Sequence, residues 1–337
     1  MGILPLFVQP FRTLHLPPQG SFASQTVIIT GANTGLGLET ARHIVSFGAA
    51  KVVLGVRSIS KGNAARADIE ASTGRSGVIE VWELDLESFD SVRTFANRAA
   101  KLARLDTAIM NAGLATAQWN LSPHGWERTI QVNVLSTSLL CLLLLPFLVQ
   151  TKRTFPNTNP HLVILGSDMH AEAKFEERKA ANILETLNDQ ELWKKIFNEN
   201  PAERYAVSKL LDSYMAIELA SLVPTINSDP AVVVDVVAPG FCKSELLSRE
   251  PGAPFILKVL QVLTARTLPE GSKTIVDAAV RGKEAHGKYL DHQKISTPGA
   301  MVTSDEGVRT RKQVWGEILQ VLMGVAPEIG RVTSGDL

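Results

Sequence analysis

From residue 25 onward, short apolar segments alternate with amphipathic ones, and this alternation constrains the fold more than any other feature. The apolar runs predict strands at Thr26–Thr30, Lys51–Val56, Val78–Glu83, Thr107–Met110, His161–Leu165 and Val232–Val237. The amphipathic stretches predict helices at Gly37–Phe47, Ser60–Ala71, Phe89–Leu102, Gly125–Val149 and Pro201–Leu222. Strand–helix repeats of this kind predict an α/β fold, a doubly wound parallel sheet with helices on both faces.

The predicted domain occupies residues 25–290, between an N-terminal arm at 1–24 and a C-terminal helical extension at 291–337. Residues 170–200 are long and charged, and they predict one or two solvated helices inserted before the last core helix. This insertion is interpreted either as a surface elaboration or as a lid over a pocket. The later elements are predicted at Thr264–Gly287 (helix), Lys288–Leu290 (strand) and Val314–Val325 (helix).

The composition excludes several classes of protein. Lys plus Arg and Asp plus Glu each number 34, so the chain lacks the basic excess of a nucleic-acid-binding protein. With 45% hydrophobic and 20% charged residues it can bury a core and is not disordered. Two cysteines exclude a disulfide framework and a cysteine zinc site. The histidines show no ligand spacing, so we expect no metal.

The most apolar run, Leu139–Val149, is shorter than the roughly 20 residues that span a bilayer, so we predict no transmembrane segment. Its all-round apolarity predicts burial by the sheet on one face and by another element, such as a partner subunit, on the other. The N-terminus has no early basic residue, and Pro5 and Pro10 interrupt its apolar run. We therefore expect a cytoplasmic protein, whose arm either packs on the domain or associates weakly with a membrane surface.

A glycine-rich turn joins the first strand to the first helix. Glycines there let backbone N–H groups and the positive helix N-terminus approach a pyrophosphate. Its spacing, G-x-x-x-G-x-G, differs from the standard dinucleotide fingerprint, but its position between strand and helix makes it informative. The predicted phosphate-binding residues are Gly31, Asn33, Thr34, Gly35, Leu36 and Gly37.

The end of the second strand carries Arg57, and Lys61 follows one helical turn later. In dinucleotide-binding sheets an acidic residue here binds the ribose of NAD, whereas Arg accommodates the 2′-phosphate of NADP. Planar guanidinium also suits bidentate phosphate contacts. These residues favour NADP(H) as the cofactor, and the alternative is that Arg57 is an ordinary surface cation.

Tyr205 and Lys209 lie four residues apart on a predicted helix, so they share one face. An ammonium near a phenol favours the phenolate, which makes the pair a plausible proton-transfer device. Ser167 ends a strand at the carboxyl edge of the sheet, where ligands bind in such folds. Asn133, before the apolar helix, is either a satisfied structural amide or part of a proton relay.

The chain resembles the short-chain dehydrogenase/reductase superfamily in its classical, single-domain, Rossmann-type form. The matching motifs run in the expected order over roughly residues 25–245. They are TGANTGLG at 30–37, Asp85-Leu86, Asn111-Ala112-Gly113, Asn133, Ser167, Tyr205 with Lys209, and Pro239-Gly240. The segments GANTGLGLETARH and VVLGVRS are similar to the retinol-dehydrogenase-like and WW-domain-oxidoreductase-like branch, especially its fungal tailoring reductases.

The resemblance implies roles for these residues. Tyr205 would be the general acid or base, and Lys209 would lower its pKa and hold the nicotinamide ribose. Ser167 would orient the substrate oxygen, and Asn133 would support a water relay. The implied cofactor contacts are Asp85 and Leu86 at adenine, Asn111, Ala112 and Gly113 along the cofactor, Pro239 and Gly240, and Ser244 in place of the family's usual Thr at the carboxamide.

The expected function is therefore NADP(H)-dependent interconversion of a carbonyl and an alcohol. The Phe/Leu-rich segment 241–263 favours a lipophilic small-molecule substrate, and the branch resemblance favours secondary-metabolite biosynthesis. The resemblance also implies a homodimer or homotetramer through helices 134–149 and 201–222. A non-catalytic NADP-binding sensor or scaffold is the alternative, and nucleotide-sugar epimerisation is disfavoured by the glycine spacing and the absence of a larger C-terminal domain.

Overall fold

The computed structural model describes residues 12–243 and 264–336. The strands are β1 (Thr26–Thr30), β2 (Lys51–Val56), β3 (Ile79–Glu83), β4 (Thr107–Met110), β5 (His161–Leu165), β6 (Thr225–Ile226), β7 (Asp229–Pro230), β8 (Val233–Ala238), β9 (Lys288–Asp291) and β10 (Lys294–Ser296). The α-helices are α1 (Gly35–Ser46), α2 (Ile59–Thr73), α3 (Phe89–Ala99), α4 (Thr137–Thr154), α5 (Ile183–Leu187), α6 (Gln190–Glu199), α7 (Glu203–Leu222), α8 (Leu268–Ala278), α9 (Ala300–Thr303), α10 (Asp305–Val325) and α11 (Gly330–Thr333).

One eight-stranded sheet organises the molecule, in the order β10-β9-β8-β5-β4-β1-β2-β3. All neighbours pair in parallel except β9 and β10, which form an antiparallel hairpin at one edge. The strand order reverses direction between β1 and β4, which opens a crevice at the carboxyl ends of these two strands. The predicted doubly wound α/β fold is confirmed.

Two hydrophobic clusters lie on the two faces of the sheet. One holds buried residues of α3, α4, α7 and α10, and the other holds buried residues of α1, α2 and α8. β1, β2 and β8 are buried along almost their whole length, as expected for strands covered on both faces. This burial explains why plain apolar runs predicted the parallel strands of the sheet to within one residue, whereas β6, β7 and β10 were not predicted.

The helix predicted at Gly125–Val149 starts later and ends later than expected. Gly125 has a φ of +81°, which breaks the helical path, and the Glu127 carboxylate then accepts the N–H groups of Thr129 (2.9 Å) and Ile130 (3.2 Å). The first seven helical residues, Ile130–Ser136, form a π-helix that continues into α4. π-Helical turns are rare and frequent at functional sites, and this one contains Asn133.

The insertion at 170–200 is anchored in the core, so the prediction of solvated helices was wrong for its first part. It consists of 3₁₀ turns at Asp168–Glu172 and Glu176–Lys179, followed by α5 and α6. The Glu203 carboxylate accepts the N–H groups of Lys174 (2.7 Å) and Phe175 (3.0 Å). Its buried apolar residues are Ala173, Phe175, Ile183, Leu184, Leu187 and Trp193. The prediction of a solvated helix holds for α6, in which Trp193 is the only buried residue.

In the C-terminal extension, α10 packs on α7 and on α5 of the insertion, and α11 contacts α4. Four residues of α10 are buried in the same cluster as these helices: Val314, Trp315, Ile318 and Leu322. Glu218 of α7, itself buried, forms ion pairs with Arg311 (2.7 Å) and Lys312 (2.9 Å) of α10. Within the chain, α4 contacts α3, α7 and α11, and the partner subunit that we considered as a cover for the run 139–149 stays a prediction.

The described part of the N-terminal arm packs on the domain. The Leu14 N–H donates to Glu270 of α8 (3.3 Å), and the His15 N–H donates to Gln293 (2.8 Å). Leu14 and Phe22 are buried. Residues 1–11, on which the membrane-surface alternative rested, lie outside the described residues.

Among the described residues, one helical segment, Ile130–Thr154, is long and apolar enough to cross a membrane by length and composition. Of its most apolar window, 83% is buried inside the protein. This burial is typical of the core helix of a globular domain. The segment is therefore weak evidence for a membrane span.

Asp235 is fully buried in β8, and neither of its carboxylate oxygens has a hydrogen-bond partner among the described residues. Burial raises the pKa of this carboxyl well above its ordinary value, and nearby Asp277 raises it further, whereas Arg281 opposes the shift. The folded state therefore binds a proton more tightly than the unfolded state does. Stability is consequently lost as the pH rises through the interval between the unfolded and the folded pKa.

We expect Asp235→Asn to raise the free energy of unfolding at neutral pH, because the variant has no carboxyl at this position to ionise when the chain unfolds. The gain should shrink as the pH falls toward about 4, where the unfolded carboxyl is also protonated. Urea denaturation at both pH values measures it. Asp229→Asn, at an exposed carboxylate, is the matched control and should change stability little. Equal stability of wild type and Asp235→Asn at neutral pH would contradict the prediction.

Candidate active site

The glycine turn lies where the predicted phosphate site requires it, between β1 and α1. Gly31 has a φ of +66°, and a Cβ there would lie 3.0 Å from the Ala112 Cα. At Gly37 a Cβ would lie 2.4 Å from the Asn111 Nδ2 and 2.8 Å from the Gly31 carbonyl oxygen, so only glycine fits. The side chain of Thr34, the N-cap of α1, accepts no hydrogen bond from the first turn.

This turn fits a dinucleotide phosphate. A helix N-terminus with no side-chain cap offers free N–H donors and a partial positive charge to an anion. Asn33, Thr34, Gly35 and Leu36 are all partly accessible around it, and a Cβ at Gly35 would meet no atom within 4 Å. The sequence-predicted phosphate residues are thus brought together at an open helix N-terminus.

Asn111, after β4, ties this strand to β1. Its side-chain amide donates to the carbonyl oxygens of Thr30 (2.8 Å) and Gly31 (3.3 Å). The backbone N–H of Ala112 donates to the Thr30 hydroxyl (2.9 Å). These bonds hold the crevice between β1 and β4 in shape. Gly113, next in the chain, is exposed at its rim.

Ser167, Tyr205 and Lys209 converge at the carboxyl end of β5, although 38 residues separate the serine from the tyrosine. The Ser167 hydroxyl donates to the Asp168 carboxylate (3.2 Å) and lies close enough to the Tyr205 hydroxyl to lower the pKa of the phenol. The Lys209 Nζ lies 5.7 Å from the centre of the Tyr205 ring and donates to the carbonyl oxygen of Leu165 (2.8 Å). A Cβ at Gly113 would lie 3.7 Å from the same Nζ, which places Lys209 at the rim of the crevice.

The protonation of Tyr205 is set by opposing effects. Burial raises the pKa of its phenol above the ordinary value, and the Lys209 ammonium and the nearby Ser167 hydroxyl lower it without cancelling the effect of burial. The ligand-free protein therefore holds Tyr205 as a neutral phenol at neutral pH. The pKa of Lys209 is lowered by burial, but the paired Asp212 carboxylate contributes most to raising it above its ordinary value, so the lysine is charged.

Asn133 lies in the π-helix, and both the nitrogen and the oxygen of its side-chain amide form hydrogen bonds. Its side chain donates to the Leu114 carbonyl oxygen (2.9 Å) and the Ser208 hydroxyl (3.0 Å), and it accepts the Leu114 N–H (2.9 Å). It thus joins the loop after β4 to α7, beside Lys209. Of the two interpretations left open by the sequence, these bonds favour the structural amide.

The predicted adenosine-side residues lie at the ends of β2 and β3. Arg57 is 65% exposed, and its guanidinium pairs with Glu87 (3.1 Å), which Arg128 also contacts (2.7 Å). Lys61 is exposed in the first turn of α2. Asp85 is partly accessible and its carboxylate accepts the Glu87 N–H (2.9 Å), whereas Leu86 is buried in the core.

Pro239 and Gly240 follow β8 at the same edge of the sheet. Gly240 has a φ of +75°, and the Pro239 carbonyl oxygen accepts a bond from Arg266 (3.2 Å). Ser244, and the apolar segment 241–263 beyond Lys243, lie outside the described residues. Within the described ranges, no group of three metal-ligating side chains is close enough to hold an ion.

Three residues that support the site were given no role by the sequence analysis. His170 donates from Nδ1 to the Ser167 carbonyl oxygen (2.6 Å) and accepts the Gly299 N–H at Nε2 (2.8 Å), so it fixes the serine turn to the C-terminal extension. Arg204 lies in a buried ion pair with Glu177 of the insertion (3.4 Å). Asp212 contacts Lys209. Only the helical spacing of 209 and 212 offered a signal for any of them.

The family model described as short chain dehydrogenase matches residues 25–154. The short chain dehydrogenase/reductase dmxR8 of Cryptosporiopsis sp. is 39% identical over 328 residues, which are 96% of this chain and 98% of that protein. The short chain dehydrogenase atnD of Emericella nidulans is 42% identical over 287 residues, which are 84% of this chain and 88% of that protein.

Solved structures are similar in fold. A putative short chain dehydrogenase from Escherichia coli CFT073, complexed with NADPH, has a TM-score of 0.59 and 23% identity, covering 82% of this chain and 100% of that one. At this identity the likeness shows the fold alone. The sequence relatives, by contrast, are more than a third identical over most of their length and of this chain. This chain therefore belongs to the short-chain dehydrogenase/reductase family of oxidoreductases.

Proposed function

We propose that this chain is an NADP(H)-dependent oxidoreductase that interconverts a carbonyl and an alcohol on a lipophilic small molecule. The observation that carries the proposal is the convergence of Tyr205, Lys209 and Ser167 beside an open, glycine-lined helix N-terminus. A proton donor, a cation and an orienting hydroxyl at one point are what carbonyl reduction requires.

The bound nicotinamide cofactor would supply the hydride. The glycine turn at 31–37 would hold its pyrophosphate, Asp85 and the Leu86 backbone its adenine, and Lys209 its nicotinamide ribose. Asn111, Ala112, Gly113, Pro239, Gly240 and Ser244 would line its length. Asn111 keeps the crevice open for it by bonding to the end of β1.

The chain's own residues would handle the substrate oxygen. The Ser167 hydroxyl would donate to the carbonyl and orient it, and the Tyr205 hydroxyl would give its proton as the alkoxide forms. The Lys209 ammonium would stabilise the resulting phenolate. Asn133 would keep the Leu114 loop and α7 in place around them.

The cluster of Arg57, Lys61 and Arg128 supports the NADP(H) preference. Glu87 draws two guanidinium groups together at the end of β2, where a ribose 2′-phosphate would bind. The solved relative from Escherichia coli carries NADPH, which agrees with this preference.

We expect Arg57→Ala to raise KM for NADPH roughly tenfold, because charge-assisted bonds to the 2′-phosphate are lost. The KM for NADH should change little. Arg98→Ala removes another exposed arginine that is paired with a carboxylate and serves as the matched control. Initial rates with both cofactors measure the effect. An equal loss with NADPH and NADH would contradict a 2′-phosphate role for Arg57.

The test of the proposed function is NADPH consumption against a panel of lipophilic ketones and aldehydes, with NADH run in parallel. Turnover of apolar ketones with NADPH is the expected result. Activity on small sugars alone would overturn the lipophilic assignment. Tight NADPH binding without turnover of any substrate would instead favour a non-catalytic NADP-binding sensor or scaffold.

Aromatic side chains of the loop after β4 and of α6 form one cluster, which supports a lipophilic substrate. Trp119, in the loop that begins at Gly113, contacts Trp193 of the insertion at 5.8 Å between ring centres, and Phe197 stacks on Trp193. We propose that this aromatic cluster belongs to the pocket wall. Similarity to reductases of fungi supports a place in secondary-metabolite biosynthesis.

Assembly and location stay proposals as well. Leu143, Pro146 and Phe147 are the half-buried apolar residues left on α4, so a homodimer or homotetramer would use them. Sedimentation velocity at micromolar concentration tests this, and a monomer alone would contradict it. A cytoplasmic location is proposed for the domain, and cell fractionation tests it.

A further inference from the structure

Asp212 lies one helical turn beyond Lys209 on α7, and the two side chains form an ion pair of 2.8 Å. The side chains are 7% and 3% exposed, so the pair is buried. The second carboxylate oxygen of Asp212, Oδ1, has no hydrogen-bond partner among the described residues. Between 12 and 336, leaving aside the segments not described, Asp212 is the only acidic residue within ion-pair distance of Lys209.

A buried ion pair often does not stabilise a fold, because the free energy needed to remove two charges from water can exceed the attraction between them. Lys209 alone in this position would shed its proton, since burial disfavours the charged form. A neutral amine could neither stabilise a Tyr205 phenolate nor act as a cation at the crevice. The proposed chemistry therefore requires a counter-charge, and Asp212 is where the structure provides one.

The other titratable groups nearby do not supply this charge. Tyr205, on the same helix, is a neutral phenol in the ligand-free protein. Asp168, in the 3₁₀ turn after β5, acts on Tyr205 rather than on Lys209. Cys141, on α4, faces Asp212, and burial raises the pKa of its thiol, so it is uncharged.

We propose that Asp212 is a positioning residue for Lys209, which keeps the ammonium charged and turned toward the Leu165 carbonyl oxygen and the Tyr205 ring. The carboxylate touches neither substrate nor cofactor in this role and acts only through the lysine. Its kinetic consequence rests on the proposed function, but the state of Lys209 is a property of the ligand-free chain. The two can therefore be tested separately.

The first test follows the Lys209 ammonium directly. Lysine-selective ¹⁵N labelling of the full chain, with Lys209→Met to assign the signal, gives the pH midpoint of its titration. In the wild type we expect this midpoint at or above the ordinary lysine value of about 10.4. In Asp212→Asn it should fall by at least about one pH unit, and in Asp212→Glu it should return toward the wild type.

Asp229→Asn is the matched control, because it removes the carboxylate of an exposed Lys–Asp pair (2.6 Å to Lys283) and should leave the Lys209 midpoint unchanged. An unchanged midpoint in Asp212→Asn would overturn the proposal. If Asp212→Asn does not fold, the Lys209 midpoint of the wild type tests the proposal by itself. A wild-type midpoint well below the ordinary lysine value would overturn the proposal.

The second test is the pH profile of kcat/KM for ketone reduction. In Asp212→Asn its basic limb should move down with the Lys209 midpoint, and Asp212→Glu should restore it. A purely structural role would lower the rate equally at all pH values, and that result would overturn the proposal. If the Lys209 midpoint falls but the wild type reduces no carbonyl, the inference about Asp212 stands and the proposed function fails.

Discussion

Replacing Tyr205 by phenylalanine should lower kcat for the proposed carbonyl reduction by a factor on the order of 10²–10⁴, the usual contribution of a positioned general acid. The substitution removes the hydroxyl that Ser167 contacts and leaves the ring beside Lys209 in place. NADPH binding, measured by fluorescence titration, should stay within about twofold because the glycine turn is untouched.

The matched control is Tyr214→Phe, two turns along the same helix. The Tyr214 hydroxyl donates to the carbonyl oxygen of Met301 in the C-terminal extension (2.7 Å) and has no hydrogen bond to Ser167. This variant should lose about 1 kcal/mol of stability and keep its turnover. Full activity in Tyr205→Phe would remove Tyr205 from the mechanism and promote the sensor or scaffold alternative.

The direction of the pKa shift adds a pH dependence to this result. Because burial raises the pKa of Tyr205, the phenol stays protonated at neutral pH and can act as an acid. The rate of carbonyl reduction should stay constant across neutral pH. The rate of alcohol oxidation, which needs the Tyr205 phenolate, should rise with pH. Initial rates in both directions between about pH 6 and 10 measure this.

Trp315→Ala should lower the free energy of unfolding by about 3–5 kcal/mol, the usual cost of removing a large buried aromatic side chain. Trp315 is 6% exposed, on the face of α10 that packs in the cluster shared with α4 and α7. Urea denaturation followed by far-ultraviolet circular dichroism measures the loss.

Met323→Ala, on the same helix, provides the comparison. Met323 is 42% exposed, so its removal should change stability by less than about 0.5 kcal/mol. A similar small effect for Trp315→Ala would mean that the packing of α10 on α7 contributes little to stability. Turnover of the folded Trp315→Ala protein well below its transition should stay near that of the wild type.

The core of the fold was predictable because its strands are buried on both faces. Plain apolar runs such as VIIT and KVVLGV have no competing interpretation when turns and amphipathic helices flank them. β9 was predicted, but its antiparallel partner β10 was not, because His292 and Gln293 take positive φ at the turn between them, where the usual signal is Asn-Gly. The π-helix likewise has no sequence signature.

The candidate site was predictable where its residues follow strands or share a helix face. Ser167 follows β5 and Lys209 follows Tyr205 by one turn, so the sheet edge and the helix bring them together. The supporting residues depend on contacts between distant segments and were missed. His170 shows this, since its Nε2 bonds to Gly299, 129 residues away. Asp212 was missed because an acidic residue on a helix is ordinarily solvated.

The order of the helices along the chain has a consequence for synthesis. Because α7 is translated well before α10, Glu218 of α7 meets its two partners, Arg311 and Lys312, only after α10 has left the ribosome. Until then the face of α7 that later packs against α10 is uncovered, and exposed apolar surface of this kind makes a nascent chain a substrate for chaperones. A ribosomal pause between residues 222 and 305 would prolong that exposure.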